Sequence, residues 1–232
     1  MLTLRKSDER GTTTAAGLSS RHAFSFGGYR DPEHDGFGPL RAINEDRIAG
    51  GGGFAPHDHR DMEVVTYVLD GVLGHRDSLG NDGVIRAGEI QRMSAGSGMK
   101  YTHFNASADA PVHLLHIWIA PSEDGITPSV EQMTIDPGAL ANRLSRIAAP
   151  EPRANELRLT QDVEIWAARL PADEEVVHPL EAGRRAWIQV LRGEVSVGPH
   201  RLVAGDAAGI TDETTLSARA HVPSEILLFD MA

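Results

Sequence analysis

The sequence predicts an all-β chain built as two β-barrels in tandem, and three observations carry that expectation. Helical periodicity is scarce, whereas short β-rich runs bounded by Gly, Asp, Asn and Pro are frequent. The second half repeats the strand–glycine–strand grammar of the first. Between the halves the texture changes to a single helical stretch followed by prolines.

The elements follow in order. "EVVTYVLDGVLGH" (63–75) reads as a strand, a glycine-containing break and a second strand. "DSLGNDG" (77–83) is turn chemistry of the hairpin sort, and "HLLHIWIA" (113–120) is strongly β. Many short strands at close spacing point to a sandwich or barrel, not to a βαβ fold. "TIDPGALANRLSRIAAP" (134–150) holds the best helical stretch, 138–148, before Pro150 and Pro152 break the chain. This short helix marks the connection. We place a first domain at 1–133 and a second, including the connecting helix, at 134–232. In the second domain "QVLRGEV" (189–195) echoes "YVLDGVL" (67–73), and "LVAGDA" (202–207) echoes "IRAGEI" (85–90). The matched glycines lie 17 apart in one half (Gly71, Gly88) and 12 apart in the other (Gly193, Gly205). Strand–glycine–strand is a common pattern, so duplication and coincidence both remain open on these echoes alone.

A chain of 232 residues suits one large all-β unit or two domains of roughly 100–130 residues. Its 22 basic and 33 acidic residues give a net charge of −11, with an isoelectric point near 5.4. Lys6 and Lys100 are the only lysines and the arginines are scattered. No basic patch is available for nucleic acid or an anionic membrane surface, so neither partner is expected. The absence of cysteine excludes disulfides, thiolate metal sites and cysteine nucleophiles, leaving nitrogen and oxygen as the only metal donors. The first residues lack the apolar core of a signal peptide and no apolar run approaches a membrane span, so a cytoplasmic location is expected.

Eleven histidines are present, and His57, His59, His75, His103, His113 and His116 crowd into a 60-residue window. The pair in "GGGFAPHDHRDME" (51–63) is the sharp feature. In extended backbone residues i and i+2 point the same way. Both imidazoles can then reach one ion at about 2.0–2.2 Å. The plainer alternative is a polar loop after glycines. "GGGG" (50–53) is no phosphate loop, because neither Gly-Lys-Ser/Thr nor a helix follows. "SAGSG" (94–98) lacks the strand–elbow–helix setting of a hydrolase.

The spacing Gly51-x5-His57-x-His59-x3-Glu63-x7-Gly71 closely resembles the first signature of the cupin family, one residue longer at its end. "FSFGGYRDPEHDGFGPLRAINEDRI" (24–48), "PHDHRDMEVVTYVLDG" (56–71), "HRDSLGN" (75–81) and "QRMSAGSGMKYTHFN" (91–105) together resemble a pirin-type bicupin. "RRAWIQVLRGEVSV" (184–197) and "SEILLFDM" (224–231) resemble the C-terminal cupin of its bacterial branch. The resemblance spans nearly the whole chain. It implies two jelly-roll-like cupin barrels packed face to face, with one mononuclear metal in the first. The ligands it implies are two His of the first motif plus a His and a Glu two residues apart in a later strand, written His-Ser-Glu.

Carried onto this chain, the later segment is Tyr101-Thr102-His103, so Tyr stands at the His position and His at the Glu position. The implied metal ligands are His57, His59 and His103, with Tyr101 either a fourth ligand or a pocket wall. Glu63 stands as a ligand or as a residue supporting the site. The ion expected is one divalent transition metal, iron first, with Zn, Ni, Cu and Mn also compatible with nitrogen donors. Several family members resemble quercetin 2,3-dioxygenase, in which a carboxylate takes the flavonol proton. Here Tyr101 and His103 are the catalytic candidates, but His103 could take that proton only by leaving the metal. Weak or absent activity on a small aromatic is therefore expected; the alternatives are a metal- or redox-sensing regulator of a protein partner and a vestigial scaffold. His75 and Met93 line the barrel or pack its core. His113 and His116 have opposite parity on one strand, so they cannot both face the metal. The second half has no His-x-His, and its His178, His200 and His221 are solitary.

Overall fold

The structure, a computed structural model, describes residues 1–15 and 17–232. Among these, the regular elements are β-strands apart from one 3-10 turn at Ser7–Glu9 and one helical turn at Pro137–Leu140. None of the described helices is long and apolar enough to cross a membrane. The chain divides into two compact units: Gly11–Ile135 with Leu157–Gln161, and Met1–Arg10 with Asp136–Glu156 and Asp162–Ala232.

In the unit of Gly11–Ile135 two antiparallel sheets form the sandwich. The longer runs, edge to edge, through Ser129–Thr134, Glu89–Ser94, Glu63–Asp70, Val112–Ile119, Leu40–Ile48, Leu18–His22 and Gly11–Ala15. The shorter runs through His57–His59, Met99–Asn105, Val72–Asp77 and Asp82–Arg86. Ile48, Val68, Val112 and Leu114 of the long sheet pack with Leu73 and Ile85 of the short one, all fully buried. Each such side chain contributes about 1.5–3 kcal/mol of burial free energy. Alternation then decides which side chains look inward. In Met99–Asn105 the odd positions Met99, Tyr101, His103 and Asn105 are buried, while Lys100 is exposed.

The other unit repeats the plan. Its long sheet includes Leu2–Arg5, Ala207–Ile210, Arg185–Arg192, Ser224–Met231, Val163–Leu170 and Ser145–Ala149 in that order. Its short sheet orders Glu175–Pro179, Thr215–Ala220, Glu194–Val197 and His200–Val203. Strand for strand, Glu175–Pro179 occupies the place of His57–His59. The echoed glycines share one backbone conformation: Gly71 and Gly193 have φ of 83° and 80°, Gly88 and Gly205 of 83° and 89°. Gly71 and Gly193 also each face a proline carbonyl, 2.8 Å (Pro111) and 2.4 Å (Pro223) from where a Cβ would stand. Repeated sheet order and repeated left-handed glycines make the second half a structural copy of the first.

The helix expected over 138–148 is only Pro137–Leu140. Asp136 caps it, accepting from Gly138 N at 2.9 Å. Asn142 then takes φ 59° and leaves helical space. Ser145–Ala149 pairs antiparallel with Val163–Leu170 instead, with Ser145 opposite Ala167. Pairing buries Ile147, Ala148 and Ala149 in a sheet, and that tertiary gain outweighs a weak local propensity.

Two alanine substitutions separate conformational strain from close approach. Gly51 has φ 72° with nothing near its virtual Cβ, so Gly51→Ala is expected to cost about 1–2 kcal/mol. Gly71→Ala must also displace the Pro111 carbonyl and is expected to cost roughly 2–5 kcal/mol. Denaturant unfolding of the two variants checks the difference; equal losses would mean that the close approach carries no cost.

Candidate functional site

A cavity of about 340 Å³ opens between the two sheets of the Gly11–Ile135 unit. The short sheet brings His57, His59, Tyr101 and His103 to its wall, and the long sheet brings Asp46, Val64, Met93, His116 and Trp118. Strand register sets this meeting. Tyr101 lies opposite His57 and Met99 opposite His59, while His103 lies opposite His75.

The imidazoles form two close pairs. His57 Nδ1 donates to the Ala55 carbonyl at 2.8 Å, which leaves its Nε2 as a bare lone pair. That Nε2 lies 2.9 Å from Nε2 of His59. The distance is that of a hydrogen bond in which His59 Nε2 donates, and it brings the two ring nitrogens of the His-x-His pair together at the cavity wall. In the second pair His103 Nδ1 lies 2.8 Å from His116 Nε2, with the rings stacked at 4.8 Å and 20°. His116 Nδ1 lies 2.6 Å from Asp46 Oδ2, and the Ser20 hydroxyl donates to Asp46 Oδ1. The remaining nitrogen, His103 Nε2, is buried and finds no hydrogen-bond partner among the described residues. No three His, Asp or Glu side chains among them are already gathered about one point. The site offers two imidazole pairs, and an orphaned Nε2 in the second is the kind of atom a metal satisfies.

Burial favours the neutral form of His59 and His103. His59 is pushed down to about 4 by desolvation first, then by His57 and His116. His103, fully enclosed, is driven well below the ordinary imidazole value by burial and by its His116, His75, His57 and His59 neighbours. Neutral imidazole is the ligating form, so both are ready donors at neutral pH. Tyr101 differs. Its hydroxyl donates to Gln91 Oε1, whose own Nε2 donates to Gln132 Oε1 at 3.0 Å. Burial and the nearby Asp77 push the phenol up from its ordinary value, which opposes phenolate formation.

The other residues singled out in the sequence are placed as follows. Met93 lines the cavity and also belongs to an apolar cluster with Val64, Met99 and Tyr101. His75 is buried beneath Tyr101, its ring stacked 6.1 Å away. His113 and His116 do point to opposite faces: His113 Nε2 bonds Glu45 Oε1 at 2.9 Å, while His116 faces the cavity. Parity says that only one of the two can enter, but not which. Asp46 and Ser20 were not anticipated; the only sequence signal for Asp46 is its two-residue spacing from Asn44, another cavity residue. Glu63 is fully buried but does not line the cavity. Its carboxylate accepts Thr160 N at 3.0 Å and 3.1 Å and Gln161 N at 3.3 Å.

Comparison with known proteins places this geometry. Residues 3–119 match the Pirin family model, and residues 146–231 match that of the quercetinase C-terminal cupin domain. A quercetin 2,3-dioxygenase of Escherichia coli K12 is 43% identical over 231 residues, covering 100% of this chain and 99% of that protein. The crystal structure of YhhW from Escherichia coli superposes with a TM-score of 0.97 at 43% identity, over 100% of this chain and 98% of that one. A crystal structure of bacterial pirin YhhW from Escherichia coli in complex with nickel(II) gives 0.95 at 42%, over 100% and 99% of the two chains.

The Glu63 environment generates a pH prediction. Burial raises its carboxyl above the ordinary value of 4.5, and the Thr160 and Gln161 N–H bonds only partly oppose this. The folded state therefore holds the proton more tightly than the unfolded state does. Stability from this group is greatest below the unfolded value and is lost as pH rises through the folded one. Against Glu63→Gln, the wild type should lose relative stability as pH rises above the ordinary carboxyl value of 4.5 in paired denaturation curves. A relative gain across that range would show that the N–H bonds outweigh burial.

Proposed function

The chain belongs to the pirin family, and from that premise we propose a metal-binding bicupin that acts in the cytoplasm as a weak, dioxygenase-like oxidoreductase on a flavonol or other small aromatic. One divalent transition ion, iron in this reading, is held by His57, His59 and His103 in the N-terminal barrel. The observation that carries the proposal is the pairing of His57 and His59 Nε2 atoms at 2.9 Å, in the wall of a cavity also lined by His103, whose Nε2 has no partner among the described residues. When bound, the ion would supply Lewis acidity to a substrate hydroxyl and a site for O₂ chemistry.

The remaining roles fall to the chain itself. Phe26, Phe54, Val64, Met93 and Trp118 give the cavity apolar walls, which exclude water and suit a flat aromatic guest. Tyr101, with its hydroxyl engaged by Gln91, is a wall of the pocket in this reading and not a ligand. Of the lining residues Asp46 alone carries a carboxylate, and both its oxygens are already bonded. No free carboxylate stands ready to take a substrate proton, and general-base help of that kind is worth about 10²–10⁴ in rate.

Two experiments test this. Protein grown with ample iron, nickel, zinc, copper and manganese should contain about one ion per chain by elemental analysis, on the donor set argued above. His57→Ala and His59→Ala should lose it, whereas Tyr101→Phe should keep it while losing about 1–3 kcal/mol of stability from the stranded Gln91 oxygen. Quercetin turnover by metal-loaded protein should be slower in the wild type than in His103→Glu; a faster wild type defeats the proton argument. The missing carboxylate also favours a second reading, a metal-dependent regulator of a protein partner. Bound metal without oxygen consumption on any aromatic tried would select it, and a metal-free barrel would leave only a scaffold.

A further inference from the structure

The chain of hydrogen bonds behind His103 has a direction, and the carboxylate at its far end sets it. Asp46 lies on the long-sheet strand Leu40–Ile48 and is buried at 2% exposure. Its Oδ1 accepts from Ser20 and its Oδ2 faces His116 Nδ1. A carboxylate only accepts, so His116 must carry its hydrogen on Nδ1. His116 Nε2 is then the acceptor in its 2.8 Å bond to His103, and His103 Nδ1 is the donor. The hydrogen of His103 is thereby used up, and Nε2 is left as a lone pair. The opposite polarity would put a hydrogen on His103 Nε2, a buried position without an acceptor among the described residues, at a cost of about 1–3 kcal/mol.

We infer that Asp46, acting through His116, is the positioning residue that fixes His103 in the Nδ1–H tautomer and presents Nε2 as a ready donor to a metal ion. The inference rests on the proposed ligation by His103. His57 is prepared in the same sense by a different acceptor, the Ala55 carbonyl. The first barrel thus sets two of its three proposed ligands by hydrogen bonds to oxygen acceptors, one direct and one relayed through a second imidazole. Carboxylate partners of ligating histidines commonly fix tautomer and ring orientation, and their loss typically costs about 10–100-fold in metal affinity.

The relay is read first on metal-free full-length protein, by long-range proton–nitrogen NMR of histidine labelled with ¹⁵N, with His103 assigned through a His103→Gln variant. The wild type should show one tautomer, protonated at Nδ1. In Asp46→Asn the amide can donate as well as accept, so the chain can run either way and His103 should become a mixture. Cobalt(II) titration followed by visible absorption should show affinity falling about 10–100-fold in Asp46→Asn, with an altered spectrum. Glu45→Gln, which alters the outward-facing partner of His113 and Arg47, should match the wild type in both measurements. A wild-type His103 protonated at Nε2 overturns the inference, as does an Asp46→Asn variant with unchanged tautomer and cobalt affinity. Cobalt bound equally well by His57→Ala would sink the ligation reading, while the metal-free tautomer still decides the relay by itself.

Discussion

An imidazole enclosed in an apolar sandwich has one hydrogen to place and two nitrogens to satisfy. Most of what the first barrel can do follows from how it solves that problem. His59, His75, His103 and His116 are all buried there, at 5–7% exposure. Charging any one would place a cation among its neighbours in a medium that solvates it poorly, which is why His59 and His103 are held low. Neutral rings must then be oriented by hydrogen-bond direction. The Ala55 carbonyl and the Asp46 carboxylate, both obligate acceptors, provide it.

The sandwich makes this arrangement cheap to maintain. Pleat alternation sends Tyr101 and His103 inward with no local adjustment, and antiparallel register brings His57 across from Tyr101. His116 and Asp46, which orient His103, sit on the opposite sheet, so that orientation depends on both sheets being packed. The buried cluster of Ile48, Val68, Leu73, Ile85, Val112 and Leu114 holds them at that distance. A buried Asn105, bonded to the carbonyls of Ile48 and Ala110 at 2.8 Å each, fixes the end of the ligand-bearing strand.

Much of this could be read from the chain before folding. Strand–glycine–strand echoes make the duplication one of two open readings, and His-x-His points to the first imidazole pair, because both are local patterns with a backbone meaning. The helix expected over 138–148 stops at Leu140, and the pairing of Ser145–Ala149 with Val163–Leu170 is not written in the segment itself. The second imidazole pair was hidden for the same reason. His103 and His116 are 13 residues apart and meet across the sandwich, and the partner of His116 lies 70 residues away at Asp46. Parity could tell that His113 and His116 diverge, but the inward choice depends on which face of the long sheet is lined by Asp46.

The second barrel shows what the same position becomes when its histidine is differently partnered. In Glu175–Pro179, the strand matching His57–His59, His178 Nε2 bonds Asp230 Oδ2 at 2.8 Å. Asp230 Oδ1 takes Arg184 Nε at 2.5 Å, and Arg184 also reaches Asp162 at 3.0 Å. Burial works to raise the Asp230 carboxyl, but bonds from His178 and Arg184 overcome it and hold the group below its ordinary value. There the carboxylate is neutralised directly by an arginine. In the first barrel the Asp46 carboxylate instead meets the Ser20 hydroxyl and the His116 ring, and no arginine lines that cavity. On the proposed ligation, three uncharged nitrogens leave a divalent ion with its compensating charge two imidazoles away. An anionic guest would then supply the missing complement. On that ligation, with His103 where the resemblance places a carboxylate, proton removal would weaken and an already ionised guest would be favoured, two consequences of one charge.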